Sequence, residues 1–359
     1  MDVVSDAVSA IRVGRPSSNK VRVSGSWCSR LAPYDGAGFH VVLEGSCWLL
    51  PDGGAPVSLG AGDVVLLPHG TGHVIADSPA DAAAVDRATP FENWLTGHTP
   101  RRSADSPGTV EMLCGKYRLD RVHMHPLMAD MPAVVHLPNR VGARAELRAA
   151  VDLLGHELST QGPGACLAVP GLLDLLLVYM IRSWAAEGHG TWPSVLGDHV
   201  ASAALRALHS DVAAPWTIDL LAAEAGVSRA TLARRFTALV GRPPMAYLTW
   251  WRLTFAATLL RDTPDPLAAI ARRVGYGTPY AFSHAFSREF GTTPGQYRTS
   301  GPGRPDLARG AAGDHRPLRP TAEVRRRHVE GTARSQEADS VPSGEDEGVT
   351  GPGSGAGER

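Results

Sequence analysis

Thr217-Ile-Asp-Leu-Leu-Ala-Ala-Glu-Ala-Gly-Val-Ser-Arg-Ala-Thr-Leu-Ala-Arg-Arg-Phe and, further along, Pro266-Leu-Ala-Ala-Ile-Ala-Arg-Arg-Val-Gly-Tyr-Gly-Thr-Pro-Tyr-Ala-Phe-Ser-His-Ala-Phe-Ser-Arg-Glu-Phe-Gly decide how this chain is read. Each is an amphipathic stretch, a glycine turn and a second amphipathic stretch, which is the pattern of a helix-turn-helix. Two such units in one chain fit two successive major grooves of duplex DNA.

The local chemistry is explicit. A first helix is expected over 198–209. Thr217 can cap the next, with Leu220, Leu221 and Ala225 as its core side chains, and Gly226 ends it in a left-handed turn. Ser228 then caps a recognition helix, read as 228–239. On it Leu232, Phe236 and Leu239 share the buried face, while Ala230, Ala233, Arg234 and Thr237 share the outer one. In the second unit Leu267, Ile270, Ala271 and Val274 form a core stripe and Gly275 ends the helix. The second recognition helix, read as 278–290, buries Phe282, Phe286 and Phe290. It turns Pro279, Tyr280, Ser283, His284 and Ser287 outward. Between the units, 245–261 reads as one long helix bearing Tyr247, Trp250, Trp251, Leu253, Leu259 and Leu260. If both recognition helices meet one face of DNA, it holds them about one duplex turn apart, roughly 34 Å.

Composition agrees. The 359 residues suggest two domains of a globular protein. Charge is near balance overall but unevenly spread. Residues 198–300 hold eleven arginines against seven carboxylates, whereas 1–197 hold fifteen basic and nineteen acidic side chains. The basic excess lies where phosphate contact needs it. Cys28, Cys47, Cys114 and Cys166 are scattered without a CxxC pair, which argues against structural zinc or a disulfide framework. The start lacks a signal pattern, and the apolar run 172–181 has only helix-core length. A cytoplasmic chain with no membrane partner is expected.

Upstream, 1–20 reads as a flexible start. From 21 to 137 short apolar runs at 39–43, 47–50, 63–67, 112–113 and 133–137 alternate with turn residues, the pattern of a β-barrel or sandwich. Residues 79–108 read as a long loop. The period turns helical from 143, where Leu147, Val151, Leu154 and Leu158 share a face. A second helix to about 186 carries Leu172, Leu175, Leu176 and Tyr179, and such a pair over 138–186 would serve dimerisation. Residues 187–197 read as a linker and 301–359 as a disordered tail.

The stretch 201–298 resembles the DNA-binding domain of the AraC/XylS family of bacterial transcription regulators. The likeness rests on Ala222, Gly226-Val-Ser228, Leu232, Arg234 and Phe236, on Gly241, Pro244, Tyr247, Leu248 and Arg252, and on Ile270-Ala271, Val274-Gly275-Tyr276, Phe282-Ser283, Phe286, Phe290-Gly291, Pro294 and Tyr297-Arg298. The resemblance implies base contacts from Ala230, Ala233 and Arg234 in the first helix and Pro279, Tyr280, Ser283 and His284 in the second, where His284 stands at a place often taken by Arg. Arg234 suits a guanine and alanine a thymine methyl. Arg229, Arg235 and Arg288 flank these faces as phosphate contacts; the bland reading for Arg235 and Arg288 is solvation or pairing with an acidic neighbour.

Gly62-Asp-Val-Val-Leu-Leu-Pro68-His-Gly70-Thr-Gly-His73 matches the second cupin motif, and His40-Val-Val-Leu-Glu44 the end of the first. Together with the runs 39–50, 113–115 and 125–127 they make 21–137 similar to the cupin-type sensor of many AraC-type regulators. His40, Glu44 and His73 could form a 2-His-1-carboxylate metal or effector set, although Gly38 replaces the usual first histidine. The bland reading makes the histidines hydrogen-bonded barrel residues; His123 and His125 read as strand surface. Cys47 and Cys114, both in expected strands, are the candidates for thiol chemistry.

The expectation is an α+β two-domain protein: a cupin-like β-barrel with a helical pair, then an all-α tandem helix-turn-helix domain over 198–300. It implies a homodimeric regulator of double-stranded promoter DNA, controlled by a small-molecule effector, with RNA polymerase as a further partner. No catalysis and no cofactor are expected. The rivals are a metal-dependent cupin enzyme fused to a DNA-binding module and a thiol-based redox sensor.

Overall fold

A computed structural model describes residues 3–79, 85–93, 108–119, 124–140, 142–188 and 190–300. The expected tail at 301–359, most of the expected loop at 79–108, and His123 lie outside these residues. The strands are β1 Ser17–Val23, β2 Cys28–Leu31, β3 Gly36–Glu44, β4 Ser46–Pro51, β5 Val57–Gly60, β6 Val64–Leu67, β7 His73–Ala76, β8 Thr89–Pro90, β9 Val110–Arg118 and β10 Val135–Leu137. They form two five-stranded sheets, ordered β1-β9-β3-β6-β10 and β5-β4-β7-β2-β8. The pairings are antiparallel except for β2 with β8.

Side-chain alternation assigns each face of the first sheet. His40, Val42, Val65, Leu67, Met112 and Cys114 lie on its inner side; all but His40 belong to a core shared with Cys47, Leu49, Leu59 and Ile75 of the second sheet. Phe39, Val41, Val64, Leu66, Leu113 and Tyr117 face the other way, into a helical layer. Both faces of β6 are therefore covered, which is why Val-Val-Leu-Leu carries no polar residue.

The helices are α1 Val3–Ile11, α2 Pro126–Ala129, α3 Ala145–Thr160, α4 Ala165–Ala186, α5 Trp192–Gly197, α6 His199–Ser210, α7 Ile218–Glu224, α8 Arg229–Val240, α9 Pro244–Asp262, α10 Leu267–Arg273, α11 Pro279–Phe290 and α12 Pro294–Ser300. Two expectations of irregular chain are corrected. The start is not loose: α1 packs on α9, α6 and α4, with Val3, Ala7 and Val8 buried, and β1 adds an edge strand. The expected linker contains α5, whose Trp192 and Val195 are buried. In both places a few apolar residues find a ready-made surface, a tertiary gain that local composition does not reveal.

The pair α3 and α4 forms as expected, with a shifted stripe. Leu173, Leu176, Leu177, Met180, Ile181 and Trp184 are buried, whereas Leu175 is 49% exposed and Leu172 and Tyr179 only partly covered. The Tyr117 hydroxyl donates to the Leu173 carbonyl at 2.7 Å and ties the helix to the sheet. At 22 residues, α4 is long and apolar enough by length and composition to cross a membrane, which corrects the shorter sequence estimate. Its buried face is that of a core helix.

Candidate nucleic-acid interface

Each helix-turn-helix is built by the caps its sequence supplies. Thr217 Oγ1 accepts from Leu220 N–H at 3.2 Å and starts α7; Ser228 Oγ accepts from Thr231 N–H at 3.2 Å and starts α8. In the second unit Thr278 Oγ1 accepts from Ala281 N–H at 3.1 Å, and Pro279 fills the first turn of α11, where no N–H is needed. The turns rest on Gly226 (φ 65°) and Gly275 (φ 78°). A side chain at Gly275 would also meet the Arg252 guanidinium and the Ala213 carbonyl. Arg252 is held there because its Nε and Nη2 donate to the carbonyls of Val212 (2.9 Å) and Ala214 (2.6 Å), fastening the chain before α7 to the long helix α9.

On α8, Leu232, Phe236 and Val240 are buried, with Leu239 only partly so. Leu220, expected in the core, is 50% exposed because the buried face of α7 and its C-cap runs through Leu221, Ala222 and Ala225. The opposite face presents Ala230 and Arg234 exposed, and Ala233 and Thr237 half-buried. Arg234 makes no ion pair or hydrogen bond with any described residue. Arg229 pairs with Asp219 at 3.1 Å in an exposed contact that DNA could replace cheaply. Arg235 donates through Nε to Asp198 Oδ2 at 2.7 Å. Asp198 is also the cap of α6, accepting from Val200 and Ala201 N–H. Arg235 thus braces the first unit through Nε, a pairing with an acidic neighbour, while 45% of its side chain stays exposed.

On α11, Phe282 and Phe286 are fully buried and Phe290 stacks on Phe286 (4.2 Å between centroids). Pro279 and His284 are exposed, Tyr280 is 82% exposed, and Ser283 is half-buried. Arg288 is exposed at the far end.

Behind the first unit lies a group of residues not foreseen in the sequence. Leu127 N–H donates to His125 Nδ1 (3.1 Å), so His125 carries its proton on Nε2 and donates to Tyr247 Oη (3.1 Å). The Tyr247 hydroxyl donates to His209 Nε2 (2.8 Å), and His209 Nδ1–H donates to the Asp6 carboxylate (2.9 Å). This chain joins α1 and the segment before α2 to α6 and α9, and every member is buried. His125 is therefore no strand-surface residue. Burial, and then the neighbouring His209, lower its pKa well below the usual 6.5. The clues were Tyr247 within the Pro244-x-x-Tyr247 signature and His209 beside Leu205 and Leu208.

The cupin residues do not converge as expected. His73 Nδ1–H donates to the Thr71 carbonyl (2.9 Å), leaving its Nε2 to accept from His40 Nε2–H (2.7 Å). His40 Nδ1 then accepts from the Cys114 thiol (3.1 Å). Burial lowers the pKa of both histidines, that of His73 to about 4, so the chain is neutral. Glu44 is not part of it. A register shift between Val42 and Glu44 breaks the alternation, and Glu44 turns outward toward Arg22. The space a side chain at 38 would need is taken by the Tyr34 hydroxyl. Among the described residues no three His, Cys, Asp or Glu side chains gather as metal ligands, and the His40–His73 contact is a hydrogen bond, so this set does not fit an ion. Cys47 and Cys114 lie in one buried core, as expected from their strands. Burial pushes the Cys47 thiol up to about 12 and Cys114 higher still, the opposite of a reactive thiolate.

Residues 2–186 match the family model described as Cupin, and residues 221–300 that described as Helix-turn-helix domain. A protein of Streptomyces antibioticus described as an AraC-like transcription regulator is 32% identical over 302 residues, covering 83% of this chain and 98% of the relative. The HTH-type transcriptional regulator AlkR of Acinetobacter baylyi is 29% identical over 307 residues, 83% of this chain and 99% of that protein. Among solved structures, the DNA-binding domain of AdpA with a target DNA is 32% identical, covering 29% of this chain and 92% of that one, with a TM-score of 0.27. With a cupin domain ahead of two capped helix-turn-helix units, and relatives matched over nearly their whole length, the chain belongs to the AraC-like family of transcription regulators.

Proposed function

We propose that α8 and α11 enter successive major grooves of double-stranded promoter DNA, with α8 the main reader. Ala230, Ala233, Arg234 and Thr237 meet base edges from α8, and Pro279, Tyr280, Ser283 and His284 from α11. Arg229 and Arg288 meet phosphates. Arg234 carries this reading: a guanidinium with no partner among the described residues, on a helix whose other face is locked by Leu232 and Phe236, is held ready for a guanine. A gel shift on DNA upstream of the chain's own gene tests it. A sequence-specific complex is expected, and its absence under every ligand condition tried overturns the reading.

The protein works in the cytoplasm as a homodimer, binds a small-molecule effector through its cupin domain, addresses RNA polymerase, and catalyses nothing. The pairing surface is the outer face of α3 and α4, where Leu153 (57%), Leu167 (84%) and Leu175 (49%) are exposed. Leu167→Glu with Leu175→Glu is expected to yield monomers in analytical ultracentrifugation. An unchanged dimer would place the interface elsewhere.

A further inference from the structure

A half-open cleft of about 360 Å³ lies between the β10 edge of the first sheet and the first turn of α3. Its floor is apolar, from Val64, Leu137, Leu147 and Val151, and its rim carries Arg140, Arg144 and Arg148. The guanidinium groups of Arg140 and Arg148 are exposed and bond to no described residue. The carboxylates close by are already engaged. Asp63 accepts from Gly60 and Asn139 N–H and from His136, and Glu187 pairs with Arg144. Glu146 and Asp152 of α3 line none of the cleft. The helix itself adds positive potential, because α3 starts on a left-handed Arg144 (φ 59°) with no side-chain cap. Arg144 is already engaged, donating to the Pro138 carbonyl at 2.6 Å and to Glu187.

We propose that this cleft is the effector site and takes a monocarboxylate with a short apolar body; the proposal rests on the chain being an effector-controlled regulator. The carboxylate meets Arg140 and Arg148, the apolar body covers the floor, and the ligand competes with Glu187 for Arg144. A cleft of this volume is at the small end of those that hold organic ligands. Glu187 is the C-cap of α4, close before α5, whose Trp192 and Val195 share a core with Leu232 and Phe236 of the first recognition helix. Releasing Glu187 therefore loosens a contact on the path to α8. A carboxylate favours that state only by its tighter binding to it.

The test is calorimetric titration of the full-length protein with octanoate, 1-octanol and inorganic phosphate. Octanoate is expected to bind at one site, at least about tenfold tighter than either control. Arg140→Gln with Arg148→Gln should weaken octanoate by roughly tenfold or more, the cost of lost charge-assisted hydrogen bonds. Both side chains are exposed, and an unchanged melting curve confirms an intact fold. Glu187→Gln should tighten octanoate about threefold or more by removing the internal competitor. The proposal falls if octanoate does not bind, if octanol matches it, if phosphate binds tighter, or if the double arginine variant binds octanoate unchanged. Unchanged or weaker octanoate binding to Glu187→Gln overturns the competition. DNA binding without octanoate is read separately by gel shift, so failure of the cleft leaves the DNA reading standing, and failure of the gel shift strikes that reading alone.

Discussion

Behind α8 the core runs on into the sensor domain; behind α11 it does not. Leu221, Leu232, Phe236, Trp250 and Trp251 share one apolar cluster with Leu127, Met128 and Trp192 and with the outer face of the first sheet. Phe282, Phe286, Ile270, Val274 and Tyr297 form a separate cluster with the second half of α9. The buried polar chain follows the same division, whereas the half-buried Arg261 of α9 donates to both the Arg12 carbonyl (3.4 Å) and the Tyr297 hydroxyl (2.9 Å). His125, Tyr247, His209 and Asp6 cross from the sensor side to the first unit, and no member lies in the second. Two units of one plan therefore differ in what can bias them. A change in the sensor domain reaches the first unit through shared packing, while the second unit moves with α9.

The largest effect is expected for Phe286→Ala, which removes a fully buried ring stacked on Phe290. It should cost about 3–5 kcal/mol. Hydrogen exchange should rise in α10 to α12 and stay unchanged in the sensor domain; a uniform rise would break the contrast. Tyr247→Phe strands the Nε2 donor of His125 and the Nε2 acceptor of His209, at about 1–3 kcal/mol. Here exchange should rise together in α6 and around α2, and an effect confined to α9 would mean the polar chain couples nothing.

Acid separates the units in the same sense. Below its ordinary 6.5 the unfolded His125 takes a proton that the folded one refuses. His73, lowered to about 4, behaves likewise. The unfolded state then binds more protons, so this stability is present above about pH 6.5 and is lost as pH falls. Between residues 210 and 300 His284 is the one histidine, and it is exposed. Exchange compared at about pH 7 and pH 5 should show the sensor and first unit loosening before the second.

Recognition should follow the asymmetry of the reading heads. Arg234→Ala is expected to weaken specific binding by roughly 1–3 kcal/mol in a titration against cognate and scrambled DNA. His284→Ala should cost less, and equal losses would overturn the assignment of α8 as main reader. The smallest change, within about 1 kcal/mol of stability in a denaturant melt, belongs to Arg235→Ala, whose pair with Asp198 is half exposed.

What was legible in the sequence was local. Thr217, Ser228, Gly226 and Gly275 act within a few residues of themselves, so their spacing announced both turns. The arginine on the outer face of α8 followed from helical period alone. The cupin strands were readable where apolar residues run together or alternate, and β3, β4, β6, β9 and β10 overlap the expected runs. The short β2, β5 and β7 carried too little pattern to be found.

Glu44 shows where such reading stops. Alternation puts it on the same strand face as His40, and a one-residue shift in pairing with β9 turns it to solvent. Register belongs to two strands, and one strand's sequence does not state it. Arg235 is similar: its periodicity is that of a surface residue, and its partner Asp198 is 37 residues away.

The sequence by itself determined the two-domain order, the paired helix-turn-helix units and the residues they turn outward, because caps, turns and helical period are short-range physics. The tertiary structure alone decided that α1 and α5 are ordered, that His40 and His73 bond to each other, and that the first unit shares its core with the sensor domain. Those outcomes depend on which surfaces meet, and burial against a distant partner sets both the packing and the proton positions of the buried histidines.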